Sequence, residues 1–352
     1  LKKIKVIVVD DSALMRKIIS NMINSMDDIE VIYTARNGED LLEKIINYIP
    51  DVITLDVEMP KMDGIATLKE LKSRNYNIPV IMLSSVSKTG TALTIECLEK
   101  GAFDFISKPS GAISLDIEKV AEELIDKIRL ACNKISFIDK SNVYNKIETK
   151  HKVTTNSFRN KGKINAVAIG ASTGGPKALY KVITVLPKDL EVPVFVVQHM
   201  PVGFTKAFAE RLDSNSKIKV VEATDGEIVE KNVVYIAPGG YHMEVGIDKK
   251  IHLNMEPAMW GVRPAVDKLF SSVAKVYGAH VLSVVLTGMG RDGAQGTVEI
   301  KDSGGITISE DKSTCTIYGM PRAAFETGKV DEVLPLHDIS DAIIRNVKAI
   351  GR

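Results

Sequence analysis

The 352-residue chain is long enough for two domains that each bury a core, and its 45% hydrophobic and 26% charged residues are ordinary for a soluble protein. With 46 Lys+Arg against 45 Asp+Glu, the net charge of +1 offers no electrostatic footprint for nucleic acid or an anionic membrane surface. Three widely spaced cysteines, Cys97, Cys132 and Cys315, form neither a disulfide framework nor a close metal-binding pair, and they suit a reducing cytoplasm. Leu1–Lys5 leads straight into an apolar strand without the h-region of a signal peptide, and no stretch has the length of a transmembrane span. A cytoplasmic location with no membrane insertion is therefore expected.

In chain order, short β-branched runs at Lys5–Val9, Glu30–Thr34, Val52–Leu55, Val80–Leu83 and Asp104–Ile106 alternate with helix-length amphipathic stretches. The pattern predicts an α/β domain over 1–130, a five-stranded doubly wound sheet with ligands at the carboxyl ends of its strands. Over 131–162 the periodicity fades into Lys, Asn, Ser and Thr, the composition of an exposed linker. From 163 to 352 apolar runs resume at Ile164–Ile169, Val194–Val197, Lys217–Val221, Val233–Ile236, Val281–Leu286 and Gly305–Ser309, again separated by helical patterns. This predicts a second doubly wound, mostly parallel α/β/α sheet, with Tyr241–Val245 and Lys250–Asn254 adding an antiparallel hairpin to it.

In the first domain Asp10 and Asp11 follow the first strand and Asp56 follows the third, so the fold gathers three carboxylates at one sheet edge. Such a cluster suits Mg²⁺, a hard cation that takes a few carboxylates and keeps phosphate oxygens and waters as its other ligands. Asp56 is then the phosphoryl acceptor, Ser84 a hydrogen-bond donor to the phosphoryl group, and Lys108 its compact positive charge. Phe105 reports the change by repacking, and Pro109 holds a turn, a cis bond among the options, that aims Lys108 inward. The bland alternative is that Asp10, Asp11 and Ser12 only cap the helix beginning near Ala13. Taken singly that is the better reading; taken jointly, the five strand-end positions exceed what capping produces. Val8-Val9-Asp10-Asp11-Ser12, Asp56 through Gly64 and Ser107-Lys108-Pro109 resemble the response-regulator receiver family. The resemblance covers the first third of the chain and implies Mg²⁺-dependent phosphoryl transfer from a histidine kinase to Asp56.

In the second domain Gly170-Ala171-Ser172-Thr173-Gly174-Gly175-Pro176 follows a strand and opens a helix. A dinucleotide fingerprint needs glycine where Ser172 stands, and a phosphate loop needs Gly-Lys where Pro176 intervenes, so both nucleotide readings fail. What remains is a nucleophile turn, whose glycines allow close approach and whose free N–H groups, Thr173 N–H among them, stabilise an oxyanion. His199, directly after Val194–Val197, is the expected base, and Asp292, in the loop after Val281–Leu286, its orienting carboxylate. Each has an ordinary alternative: a turn serine, a satisfied strand-end histidine, a first-turn acid. His242, His252, His280 and His337 compete for the base role from less favourable positions, and no pair of histidines has metal-ligand spacing.

The same glycine turn, Gln198-His199-Met200, Ala237-Pro238-Gly239, Thr287 through Gly293 and Tyr318-Gly319-Met320-Pro321 resemble the chemotaxis protein-glutamate methylesterase family. Receiver, linker and catalytic domain match it in order, across essentially the whole chain. The resemblance implies hydrolysis of glutamate γ-methyl esters on chemoreceptors to glutamate and methanol, with deamidation of some glutamines, and no cofactor for the esterase reaction. It also directs attention to Met289, with Thr173, as a neighbour of the substrate, and implies that phosphorylation of Asp56 activates the enzyme; a receiver that covers the catalytic edge until Asp56 is phosphorylated is the expected means. Three rivals are a phosphorylation-switched scaffold that retains only the hydrolase shape, a DNA-binding output, and a triad that works on a methyl ester or amide outside chemotaxis, since nothing in the residues identifies a receptor. Ser172, His199 and Asp292 together oppose the first, and the absence of a basic stripe opposes the second.

Overall fold

β-Branched runs bounded by polar turns build the first sheet from β1 (Ile4–Val9), β2 (Ile29–Ala35), β3 (Val52–Asp56), β4 (Val80–Ser84) and β5 (Asp104–Ser107). The computed structural model describes residues 3–108, 116–141 and 163–348, in two units, Leu1–Glu148 and Thr149–Arg352. The first sheet is wholly parallel in the order β2-β1-β3-β4-β5. The chain direction across the sheet reverses between β1 and β3, which opens a crevice at their carboxyl ends. Helices α1 (Ala13–Asn24), α2 (Gly38–Lys44), α3 (Gly64–Ser73) and α4 (Lys88–Lys100) start at side-chain caps from Ser12, Asn37, Asp63 and Ser87 respectively. Helix α5 (Asp116–Ser141) runs on into the expected linker. Its buried Leu124, Ile125, Ile128 and Ala131 keep helical spacing past the expected boundary at 130. Residues 142–162 and Pro109 lie outside the described residues.

The second unit centres on a seven-stranded sheet, β14-β13-β12-β6-β7-β9-β8, with every pairing parallel. Its strands are β6 (Ala166–Ala171), β7 (Val194–Gln198), β8 (Lys219–Glu222), β9 (Val233–Ile236), β12 (Val281–Val285), β13 (Ile306–Glu310) and β14 (Glu332–Leu334). Every residue of β6 is buried, as expected of a central strand covered by helices on both faces. From β6 the chain first builds outward through β7 and later returns to place β12 on the other side. The switch point therefore lies between β6 and β12. Helices α6 (Gly175–Ile183), α7 (Phe204–Asp213), α8 (Val266–Tyr277), α9 (Ala294–Asp302), α10 (Met320–Glu326) and α11 (Leu336–Lys348) complete the unit. Among the described residues no helix is long and apolar enough to cross a membrane.

Two features depart from the sequence-based expectation. The hairpin β10 (His242–Val245) and β11 (Ile251–Asn254) forms its own two-stranded sheet and does not join the parallel one. Helix α8 takes the place of a neighbouring strand: Ser272 Oγ accepts from Val245 N at 3.0 Å, and Met243, Val245 and Ile251 pack into the core with Leu269, Phe270 and Val273. Strand β14 is the second departure, with three half-buried residues too few to display an alternation. The fully buried Phe270 of α8 lies at the centre of this core, so Phe270→Ala should cost the second unit roughly 3–5 kcal/mol in urea unfolding. Because α8 also carries residues that build the candidate site described next, loss of its packing should disturb that site as well.

Candidate active site

Ala171, the last residue of β6, pairs with Gln198, the last of β7, so the chain leaves both strands side by side. Ser172 and His199 are the next residues, and His199 N donates to Ala171 O at 3.1 Å. Gly174 closes the turn at φ 77° and caps α6, whose first residues include Pro176. Two glycines are demanded by space. A Cβ on Gly175 would stand 2.0 Å from Gln198 Oε1, and one on Gly288 would stand 2.7 Å from Ser172 Cβ.

Gln198 ties the two halves together, because its Nε2 donates to both Ser172 O and His199 O at 3.0 Å. Ser172 O also accepts from Gly175 N at 2.7 Å. In a trans peptide the N–H opposes the C=O, so the Thr173 N–H points away from this clamp. Thr287 braces the other flank: its carbonyl accepts from Ser172 N at 3.0 Å and its hydroxyl donates to Thr173 O at 3.0 Å. The buried Glu310 holds Thr287 in turn, with Oε2 accepting from Thr287 N at 2.8 Å. Burial pushes the Glu310 carboxyl above its ordinary range, against the opposing hydrogen bonds from Thr287 N, Thr314 and Cys315.

His199 Nε2 lies 2.8 Å from Asp292 Oδ2. A carboxylate accepts, so the Nε2 proton is held there and Nδ1 remains the basic nitrogen. Among the described residues Ser172 Oγ and His199 share no hydrogen bond. Asp292 is buried and also accepts from Val266 N (2.6 Å) and Asp267 N (2.8 Å), the first N–H groups of α8. Asp267 reciprocates from α8, with Oδ1 accepting from Gly293 N (2.9 Å) and Gly296 N (2.7 Å) at the start of α9. Neither Ala265 nor Gly293, the residues at the two caps, supplies a side-chain cap of its own. Burial pushes the Asp267 carboxyl up, and the neighbouring Asp292 charge adds to that effect.

The other described histidines are engaged elsewhere. His242 Nε2 meets Pro257 O, His252 Nε2 meets Asp248, His280 Nδ1 meets Lys163 O, and the exposed His337 lies 3.8 Å from Asp338. Thr173 is buried in the turn, while Met289 stands 45% exposed in the loop between Gly288 and Asp292. The motifs read from the sequence include Gln198 and Thr287 without giving either a role, and they do not include Asp267 or Glu310. Gln198, one position before the candidate base, and Thr287, at the head of the Asp292 loop, carried the signal in sequence.

In the first unit Asp10, Asp11 and Asp56 offer oxygens within 4.8 Å of one another, an all-carboxylate set that fits a hard divalent cation. Lys108 Nζ bridges Asp10 Oδ2 (2.8 Å) and Asp56 Oδ2 (2.7 Å). Ser12 caps α1, and Asp10 Oδ1 accepts from Ser12 N at 2.9 Å. Burial, reinforced by the Asp10 charge and only partly countered by Lys108, raises the Asp56 carboxyl to about 6. Ser84 is buried on the neighbouring strand, its hydroxyl bonded to Thr94 Oγ1 (2.5 Å) and Gly90 O (3.3 Å). Phe105 is buried, with Lys127 Nζ 5.5 Å from its ring centroid.

Residues 167–343 match the family described as CheB methylesterase, and residues 6–118 match the response regulator receiver domain. The chain is 57% identical to a protein-glutamate methylesterase/protein-glutamine glutaminase of Clostridium acetobutylicum over the full length of both chains. It is 47% identical to a protein of the same description from Pyrococcus horikoshii, over 99% of this chain and 95% of that one. Among solved structures, the Thermotoga maritima CheB methylesterase catalytic domain matches with a TM-score of 0.51 at 44% identity, covering 52% of this chain and 99% of that domain.

Two measurements test these sites. Gln198→Leu removes both N–H clamps without touching the reacting atoms, and it should lower kcat for ester hydrolysis roughly 10- to 100-fold with little change in KM. For Asp56, raised from 3.8 to about 6, the stabilising effect of the bound proton is fully present below the lower value and lost as pH rises through the upper. Without divalent metal, Asp56→Asn should therefore be more stable than wild type at pH ~7.5, by on the order of 3 kcal/mol at most. The advantage should disappear near pH ~4 in a series of thermal melts.

Proposed function

The chain belongs to the CheB methylesterase family and carries a response regulator receiver domain, and we propose that Ser172, His199 and Asp292 are its catalytic triad. The substrates are γ-methyl esters of glutamate on methyl-accepting chemoreceptors in the cytoplasm. Ser172 Oγ attacks the ester carbonyl carbon while His199 Nδ1 takes its proton. The oxyanion is received by the Thr173 N–H, with Met289 at the substrate's flank. Asp292 holds the imidazolium at Nε2. His199 then protonates the departing methoxide, releasing methanol and leaving an acyl-serine. Water attacks that acyl group with His199 again as base, and glutamate and free Ser172 result. A glutamine side chain follows the same course with ammonia as the leaving group.

The observation that carries this reading is the His199–Asp292 hydrogen bond at 2.8 Å, placed at the sheet edge from which the Ser172 turn emerges. The chain order Ser, His, Asp differs from that of the common hydrolase folds, but a triad is defined by geometry and roles.

In the receiver, Asp56 accepts a phosphoryl group from a histidine kinase. Asp10, Asp11 and Asp56 are the residues that would hold Mg²⁺, which when bound supplies positive charge against the phosphoryl oxygens. Lys108 and Ser84 hydrogen-bond the phosphoryl group, Phe105 repacks, and the esterase is activated. All-oxygen ligands and a paired lysine support this reading. Methanol release from methylated chemoreceptor membranes tests both halves. Ser172→Ala should lose roughly 10³-fold or more of the activity, and a small phosphodonor with Mg²⁺ should stimulate wild type but not Asp56→Asn. Equal release from wild type and Ser172→Ala would remove the nucleophile, and donor-independent release would remove the switch.

A further inference from the structure

Trp260 and Arg291 stand together at the rim of the triad. Trp260 occupies a tight turn in which Met259 and Val262 exchange backbone hydrogen bonds of 3.0 and 3.1 Å. Its φ of 55° is a left-handed conformation that bulky residues rarely adopt. The indole is nevertheless fixed, for Nε1 donates to Asp267 Oδ2 at 2.9 Å while the residue remains 53% exposed. That anchor is the carboxylate that caps α9 and neighbours Asp292. Arg291, immediately before Asp292, is exposed and lays its guanidinium over the indole, with Cζ 4.8 Å from the ring centroid. Among the described residues it pairs with no carboxylate.

An arginine that only shields an exposed ring needs no particular partner, and a strained aromatic that only fills space needs no fixed N–H. Here the ring is anchored and its outer face orients a planar cation whose donor fork is free of acids. Stacking limits the rotamers that the guanidinium would lose on binding a planar anion. The reacting group cannot be that anion, because a methyl ester or an amide is neutral. On the esterase reading above, the remaining candidate is an acidic side chain of the protein substrate close to the scissile ester. We propose that Arg291, held on Trp260, is a specificity-determining residue that binds such a carboxylate, so that esters with an acidic neighbour are hydrolysed in preference to isolated ones.

The test uses two helical peptides, each with one glutamate γ-methyl ester and, one helical turn away, either glutamate or alanine. Full-length protein with Mg²⁺ and a small phosphodonor is assayed for methanol release. Wild type should favour the acidic peptide roughly five- to tenfold in kcat/KM, chiefly through KM, and the preference should shrink as ionic strength rises. Arg291→Gln should abolish the preference and Arg291→Glu should reverse it. Trp260→Phe, which retains a ring face, should keep more of it than Trp260→Ala. Equal hydrolysis of the two peptides by wild type overturns the proposal, as does a preference that survives Arg291→Gln. Hydrolysis of neither peptide by wild type overturns the esterase reading, and this inference with it.

Discussion

The catalytic unit depends on two buried aspartates that cap each other's helices. Asp292, just before α9, accepts from the first N–H groups of α8, while Asp267, in the first turn of α8, accepts from those of α9. Each helix presents orphan N–H groups and the positive end of its dipole, and each receives a carboxylate from the other. Buried acids of this kind are costly unless fully hydrogen-bonded, and here each has at least three donors. The arrangement fixes Asp292 so closely that its Oδ2 can orient an imidazole, and it fixes Asp267 so that its second oxygen can hold an indole. Removal of either carboxylate leaves the opposite helix uncapped, so catalytic geometry and the packing of α8 on α9 are one property.

Both units exploit the same topological device for different chemistry. In the first sheet the strand order reverses between β1 and β3, which brings Asp10, Asp11 and Asp56 together. In the second it reverses between β6 and β12, which brings the Ser172 turn beside the loop that ends in Asp292. The electrostatic solutions diverge. Asp292 is offset by backbone N–H groups and an imidazole, whereas the acidic cluster sets a single Lys108 against two buried carboxylates. One lysine does not offset both, so Asp56 remains raised to about 6, and further positive charge at that edge would favour its ionised form.

The sequence was most legible where a chemical group follows a strand directly. Ser172, His199, Asp56 and Lys108 each sit at or one residue beyond a strand end, so strand periodicity alone assigned them to the correct edges. Supporting groups were illegible for a definite reason. Asp267 lies inside a helix, where an acid normally marks a solvated face, and its burial follows only from the packing of α8 on α9. Glu310, at the end of β13, reads as an ordinary strand-terminal acid until Thr287 is placed over it. The hairpin was recognised but assigned to the wrong sheet, because alternation reports pairing and not what satisfies the outer edge. Here Ser272 of α8 does so.

The brace around Ser172 leaves its side chain as the adjustable part of the proposed triad. Its N–H is held by Thr287 O, its carbonyl by Gly175 N and Gln198 Nε2, and the next carbonyl by Thr287 Oγ1. Gly175 and Gly288 press against the turn so tightly that neither position has room for a Cβ. With the peptide planes pinned, the principal freedom left to Ser172 is rotation of its side chain, and staggered rotamers restrict that to a few positions. On the proposed triad, Nδ1 of His199, whose other nitrogen is occupied by Asp292, is the base toward which that hydroxyl would turn. Rigidity therefore resides in the backbone of the turn, and the adjustable element is a single hydroxyl, whose reorientation disturbs none of the hydrogen bonds that hold the turn.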